Sequence, residues 1–227
     1  MQGLVDLLTQ YNVFSAFWMT IRLTLVSALG ALVIGTIIAI MRVSPVPSLR
    51  AFGAGYVNII RNTPLTLIIT FCVLGLYLFM NLHLLPDSVD PKAQLFTWAV
   101  VGLSVYHATF VAEGIRSGIN TVPQGQAEAA RAIGLTFGQS LAQVVLPQAL
   151  RAAITPLGNT FIALTKNTTV VSAAGVAEAS YLMKNMIEFS PQFLYAIFFL
   201  MALGFVILTL PAGLFFSWAS TKWQVQR

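Results

Sequence analysis

Charged residues are scarce in this 227-residue chain, at 8% of the total. Soluble domains carry roughly 25% charged residues and about 45–50% apolar ones, whereas 57% of this chain is hydrophobic. So few charges could not cover the surface of a soluble fold. Apolar runs of about 20 residues, long enough to cross a roughly 30 Å hydrocarbon core, recur along the chain. The composition therefore predicts an all-α integral membrane protein and excludes a soluble enzyme.

Cysteine is nearly absent, since Cys72 is the only one and lies inside an apolar run. A single cysteine allows neither an intramolecular disulfide nor a cysteine-based metal site. The sequence also lacks paired carboxylates and metal-ligand clusters at workable spacing. These absences argue against a membrane-embedded enzyme.

Clusters of basic residues are also missing. The net charge is +5, but the twelve Lys and Arg are scattered singly between apolar runs, which argues against nucleic acid as a partner. The first ten residues contain Asp6 and no Lys or Arg, so they lack the basic start of a secretory signal peptide. We expect the first apolar run to remain in the mature protein.

Five segments qualify as membrane spans, and we treat residues 1–227 as one transmembrane domain. The expected spans cover about residues 17–41, 63–84, 93–112, 144–164 and 193–218. The linker at residues 42–62 combines prolines, glycines and arginines with apolar residues, which predicts a short helix lying against the membrane.

The positive charges indicate the orientation, because Lys and Arg prefer short cytoplasmic loops. An outer N-terminus and a cytoplasmic C-terminus place eight of them inside and only Lys92, Lys166 and Lys184 outside. The eight are Arg42, Arg50, Arg61, Arg116, Arg131, Arg151, Lys222 and Arg227.

The fourth expected span is unusually polar, and such polarity would be costly against lipid. Pro147 and Pro156 each remove a backbone donor, which predicts a kinked or broken helix lining a solute route. The candidate pathway residues are Asn159, Thr160, Thr165, Lys166, Asn167, Thr168 and Thr169. Lys166 could meet the carboxylates of an acidic amino acid; alternatively it extends to the interface while the threonines cap the next helix.

Three further polar positions have simpler interpretations. His107, within the third span, is expected to be packed and hydrogen-bonded rather than proton-coupled, since no carboxylate is near it in sequence. Glu113 and Arg116 are three residues apart, which predicts a helix-surface pair. Glu178 and Lys184 are interpreted in the same way.

An alanine-rich stretch between the third and fourth spans is too polar to cross the membrane. Alanine favours helix, Pro123 precedes the run, and Gly134 stands where a left-handed residue would end it. We expect a cytoplasmic helix at about residues 123–138. Its methyl-sized side chains would let another protein approach closely, although an ordinary interfacial helix remains the alternative.

The spacing within this stretch resembles the EAA-type signature of permease subunits of ATP-binding-cassette importers. Glu128-Ala129-Ala130 is followed after three residues by Gly134 and after nine more by Val144-Val145-Leu146-Pro147, with Val144 where the pattern usually has Ile. RNTPLTL (61–67), FVAEGIRSGINTVPQGQAEAARAIG (110–134) and LPQALRAAITPLGNTFIALTKNTTVVS (146–172) resemble the polar-amino-acid branch. RVSPV (42–46) and LTKNTT (164–169) are similar to actinobacterial glutamate importer permeases.

This resemblance implies a type I importer permease fold and a chain without catalytic residues, metal or bound cofactor. The implied coupling residues are Pro123, Gly125, Glu128, Ala129, Ala130 and Gly134, which would fit a groove of an ABC ATPase subunit that binds ATP and Mg. An extracellular solute-binding protein would deliver the amino acid, and a second permease would complete the path, as a heterodimer in preference to a homodimer. The expected location is the bacterial plasma membrane. A secondary transporter or channel subunit for small solutes remains the alternative.

Overall fold

The computed structural model describes residues 11–223, and the expectations for residues 1–10 and for Arg227 lie outside the described residues. Within residues 11–223 the chain forms helices joined by turns, without a strand, which confirms the all-α expectation. The helices are α1 Val13–Val43, α2 Pro47–Asn62, α3 Leu65–Phe79, α4 Pro91–Ile119, α5 Gln124–Ala132, α6 Phe137–Ser140, α7 Leu146–Ala152, α8 Ile154–Asn167, α9 Ala179–Phe189 and α10 Leu194–Trp223.

Three helices are long and apolar enough to cross a membrane unaided. They are α1, α4 and α10 with its preceding turn (Pro191–Trp223). These helices contain the expected spans at 17–41, 93–112 and 193–218. Within residues 11–223 three unbroken helices are therefore candidate membrane spans.

The second expected span, 63–84, is half of a bent pair. Helix α2 meets α3 at an angle of 100°, because α2 ends where the Thr63 hydroxyl donates to the Ile59 carbonyl and the Thr63 N–H to that of Ile60. Pro64 begins the new direction. From Phe71 onward α3 is a π-helix, and it ends at Phe79, before Asn81 with φ 53°. The helix is thus shorter than the expected span.

The fourth expected span, 144–164, is divided into pieces. A capping box formed by Thr136 and Gln139 starts α6, which continues as a π-helix over Leu141–Val145 and then becomes α7. Ala153 separates α7 from α8, and Pro156 in the first turn of α8 offers no N–H to the preceding turn. A 3₁₀ helix, Thr168–Ala174, follows α8. The break agrees with the kink that the prolines predict.

One part of the core lies between α3 and α4 and another between α1 and α4, and the backbones of α1 and α4 approach closely at small residues. A Cβ on Gly30 would stand 2.5 Å from the Ser104 Oγ, and one on Gly35 would stand 2.6 Å from the Val111 side chain. Ser104 donates to the Ser27 carbonyl across the same interface. Small residues allow this packing where lipid tails are as apolar as leucine. Helices α7 and α8 pack against α4.

Candidate functional site

The alanine-rich helix α5 has a well-defined end. The N–H of Gly134 donates to the Arg131 carbonyl and that of Leu135 to the Ala130 carbonyl, the two bonds of a Schellman motif. Gly134 has φ +93°, which a residue without Cβ adopts readily. The helix therefore stops at Ala132 and does not extend to residue 138, since the cap turns the chain into the separate start of α6.

Most of the predicted coupling residues are exposed on α5 or beside it. Pro123, Gly125, Glu128, Ala129 and Gly134 are all exposed, but Ala130 is only 5% exposed and packs against its own chain. Ala130 therefore holds α5 in place rather than offering a docking surface. Its neighbour Ile133 is 81% exposed, a large apolar residue that the sequence argument missed because it looked for small side chains.

Helix α5 is joined to α7 through side chains. The Gln148 amide of α7 donates to the Gln126 side chain of α5 and to the Val144 carbonyl. Helix α7 in turn rests on α4, where a Cβ on Gly118 would collide with the Ala149 carbonyl. Helix α5 is therefore linked to α7, which ends at the break at Ala153.

Helix α8 has two faces of different character. Its exposed residues recur at helical spacing and are small or polar: Thr155, Asn159, Ala163 and Lys166. Gly158 is buried and lies against the Phe216 ring of α10, where a Cβ would stand 2.5 Å from a ring carbon. The polar stripe of α8, defined as these four exposed residues, is therefore open in this chain.

The predicted pathway residues divide between these faces. Asn159 and Lys166 belong to the polar stripe, and Thr160 and Thr169 are half-buried. Thr165 and Thr168 are buried, so neither lines an open route in this chain. The four threonine hydroxyls donate to carbonyls three or four residues earlier, because in a helix those are the nearest acceptors. These hydroxyls are therefore satisfied by backbone carbonyls of their own helical segment.

The remaining pathway candidate, Asn167, contacts the buried histidine. His107 is 1% exposed; its Nδ1 lies 3.0 Å from the Leu103 carbonyl, and the Asn167 amide nitrogen lies 3.1 Å from its Nε2. With the amide placed in this way, the contacts suit a ring whose Nδ1–H donates to the Leu103 carbonyl and whose Nε2 accepts from Asn167. His107 is thus packed and hydrogen-bonded, as expected.

Glu113 belongs to a larger cluster than the predicted surface pair. Its Oε2 accepts from Arg116, 3.0 Å away, as the spacing predicts. Its Oε1 accepts from Arg42, 2.6 Å away, and lies 3.8 Å from Arg61. These partners come from α1 and α2, and no local spacing could reveal them.

Glu178 and Lys184 do not form the expected surface pair. Glu178 is fully buried, and its carboxylate caps α9 by accepting from the N–H groups of Ser180 and Tyr181. Lys184 donates instead to the Ser172 hydroxyl. The interpretation failed because a carboxylate just before a helix accepts from the unpaired N–H groups of the first turn. Glu178 does so here and does not pair with Lys184.

Several known proteins are similar to this chain. Residues 31–224 match the family described as binding-protein-dependent transport system inner membrane component. The glutamate transport system permease protein GluC of Corynebacterium glutamicum is 54% identical over 205 residues, covering 89% of this chain and 90% of that protein. GluC of Corynebacterium efficiens is 53% identical over 207 residues, with the same coverage.

A solved structure has a similar fold. The crystal structure of an amino acid ABC transporter with histidines superposes with a TM-score of 0.78 at 27% identity, over 92% of this chain and 93% of that one. The similarity extends through the broken helices as well as the long ones, since it covers almost the whole chain.

Proposed function

Because this chain belongs to the family of binding-protein-dependent transport system inner membrane components, we propose that it is the membrane-spanning permease subunit of an ATP-driven importer of glutamate. The fold is that of a type I ABC importer permease, as the sequence led us to expect. The likeness to two corynebacterial glutamate permeases over most of each chain supports glutamate in preference to other polar amino acids.

The exposure of α5 is the observation that best supports coupling. A short capped helix is attached to its own chain by Ala130 and Gln126, while Ala129 and Ile133 are left exposed. A groove of an ABC ATPase subunit would take up this surface, with Ile133 as its apolar contact. ATP and Mg would be bound by that ATPase, and this chain would hold no cofactor.

Transmission would run from α5 through α7 to the break at Ala153. When two ATPase subunits close, they would push together the α5 helix of this chain and the corresponding helix of a second permease. Because α7 contacts both α5 and α4, the push would tilt α8 relative to the long helices. The pathway would then alternate between inward- and outward-facing forms.

The remaining partners follow from what this chain leaves open. Exposing the polar stripe of α8 to lipid would cost free energy, so the stripe would form one wall of the route. Lys166, at the outer end of the stripe, would favour an anionic solute. A second, homologous permease, in a heterodimer in preference to a homodimer, would supply the opposite wall. An extracellular solute-binding protein would deliver glutamate to the outer side of the plasma membrane. The N-terminus would lie outside and the C-terminus in the cytoplasm.

Replacing Ala129 by arginine tests the coupling role of α5. Ala129 is exposed, so the new side chain disturbs a docked partner rather than this chain. We expect Ala129→Arg to reach the membrane normally but to bind the ATPase subunit roughly thirtyfold more weakly on purification, since a clash at the centre of an interface costs about 2 kcal/mol. ATP-driven glutamate uptake into vesicles should fall in parallel.

Thr221→Arg provides the matched control, because Thr221 is exposed near the end of α10 and gains the same charge. This variant should retain both the ATPase and uptake. Full retention of the ATPase by Ala129→Arg would contradict the proposal. The substrate is tested separately, in the wild-type complex, by comparing how strongly excess unlabelled glutamate, aspartate or glutamine inhibits the uptake of labelled glutamate.

A further inference from the structure

Helix α8 is a segment with a change of backbone at each end. Ala153 separates it from α7, and a 3₁₀ helix begins at Thr168, directly after it. Its first turn packs on α4, where a Cβ on Gly114 would stand 3.4 Å from the Pro156 side chain. The last turn, which carries Lys166, needs contacts of its own.

One side chain of that last turn bonds to a second helix. Within residues 11–223, the only hydrogen bond from an α8 side chain to a different helix joins Asn167 to His107 of α4. The hydroxyls of Thr160 and Thr165 donate to carbonyls within α8. The last turn of α8 is therefore held to α4 through a single bond between side chains.

The histidine offers a fixed acceptor for that bond. Its ring lies against the rings of Tyr106 and Phe110, with centroids 5.2 and 6.2 Å away. The Leu103 carbonyl, 3.0 Å from Nδ1, sets the orientation of the imidazole. Because His107 is only 1% exposed, its Nε2 faces Asn167 from inside the protein and cannot contact a solute.

Asn167 and Lys166 are neighbours that point in different directions, since consecutive residues of an α-helix are about 100° apart. Asn167 is half-buried and turned toward His107, whereas Lys166 is exposed on the polar stripe of α8. A rotation of the last turn that broke the Asn167 bond would carry Lys166 with it. The bond thus fixes the direction in which the ammonium group leaves the helix.

We propose that His107 is a positioning residue of the transport route: by accepting from Asn167, it holds the last turn of α8 so that Lys166 faces the route. This inference rests on the proposed function, in which the polar stripe lines the path of an anionic amino acid. Without the bond the ammonium group is misplaced, and cycles of ATP hydrolysis run without carrying a solute.

The test is the number of glutamate molecules transported per ATP hydrolysed, measured with the full complex in vesicles. His107→Leu removes the acceptor and should lower this ratio roughly fivefold, the equivalent of about 1 kcal/mol for one hydrogen bond. A smaller fraction of folded complexes would lower both rates together and leave the ratio unchanged. His107→Gln supplies a side-chain carbonyl as the acceptor and should stay close to wild type.

Asn167→Ala removes the donor at a half-buried position and should match His107→Leu, even if the histidine variant assembles poorly. The double variant should be no worse than either single one, because both changes remove the same bond. Thr109→Val is the control, since this buried hydroxyl of α4 donates only within its own helix, and it should keep the wild-type ratio. A wild-type ratio in His107→Leu, or losses that add in the double variant, would overturn the proposal.

A second readout needs no solute. Spin labels at Ala163→Cys of α8 and Ser117→Cys of α4, both exposed positions, report the distance between the two helices in the complex. His107→Leu should shift or broaden that distance, whereas His107→Gln should not; an unchanged distance in His107→Leu would overturn the positioning role. A wild-type complex that does not carry glutamate would instead refute the proposed function, and the label distances would still test the bond.

Discussion

Glu178 is a buried carboxylate held by backbone groups rather than by a counter-ion. Burial raises its pKa from 4.5 to about 7, although the N–H groups of Ser180 and Tyr181 and the charge of Lys184 act in the opposite direction. The nearby Thr20 hydroxyl accepts from the N–H of Ala179, so the capped end of α9 is tied to α1. Glu178 therefore stands next to the junction between α9 and α1.

Stability should fall as pH rises through the range in which Glu178 titrates. A carboxyl whose pKa is raised in the folded state binds its proton more tightly there, so its contribution is complete below pH 4.5 and is lost as pH approaches about 7. One pKa unit corresponds to about 1.4 kcal/mol, which makes the full effect roughly 3 kcal/mol. In detergent, the melting temperature of the complex should fall between pH 5 and pH 8, and Glu178→Gln should flatten that fall.

Glu188→Gln, on the same helix but exposed, should leave the pH dependence of the melting temperature as it is in the wild type. A wild-type profile that Glu178→Gln does not change would mean that the carboxyl titrates equally in the folded and unfolded chain. Loss of one cap acceptor in the glutamine variant lowers stability at every pH, so it does not imitate a change in slope.

At the scale of helices, contact between α4 and α7 depends on a position without a side chain. Gly118 lies so near the Ala149 carbonyl that a Cβ would collide with backbone, which cannot rotate away. Ala153 also lies within reach of that Cβ, at 3.3 Å. The close approach places α7 where it contacts α5 and α4 together.

Gly118→Ala should therefore separate α7 from α4. Overpacking of this kind costs about 1–3 kcal/mol, so we expect a lower melting temperature of the complex and weaker coupling between ATP hydrolysis and uptake. Gly138→Ala is the control, because nothing lies within 4 Å of its Cβ position. Gly138→Ala should be neutral or slightly stabilising, since alanine favours helix. Equal behaviour of the two variants would show that α7 and α4 do not need this contact.

At the scale of the whole molecule, one chain does not enclose a route. The polar stripe of α8 is open, whereas α10 is apolar and has few buried residues. Exposed apolar residues of α10 such as Phe199 suit lipid, whereas Asn159 at the centre of the stripe does not. These two surfaces should therefore have different neighbours.

Cysteine cross-linking distinguishes those neighbours. We expect Asn159→Cys to cross-link to a cysteine placed on the corresponding face of a second permease, because the stripe would face the shared route. Phe199→Cys, on the lipid side of α10, should not cross-link. The native Cys72 is 7% exposed and should not interfere. Efficient cross-linking through Phe199→Cys instead would mean that α10, and not α8, meets the second permease.

Local sequence determined the membrane class, the long helices and the cap of α5. Apolar runs can only be solvated by lipid, and Pro123 and Gly134 act on their own backbone and immediate neighbours. Pro147 and Pro156 also act on their own backbone, so the sequence predicts the break that the structure has at Ala153. The EAA-type spacing also identified the family, because its residues lie close together in the sequence.

Only the tertiary structure decided which polar groups meet and which side chains are open. Arg42 and Glu113 are 71 residues apart, and Asn167 on α8 contacts His107 on α4. No periodicity in the sequence could pair these residues. Ala130 looked equivalent to Ala129 until packing buried one and exposed the other. Burial and long-range contacts depend on how helices approach, and that depends on small residues such as Gly35 and Gly118 acting on distant partners.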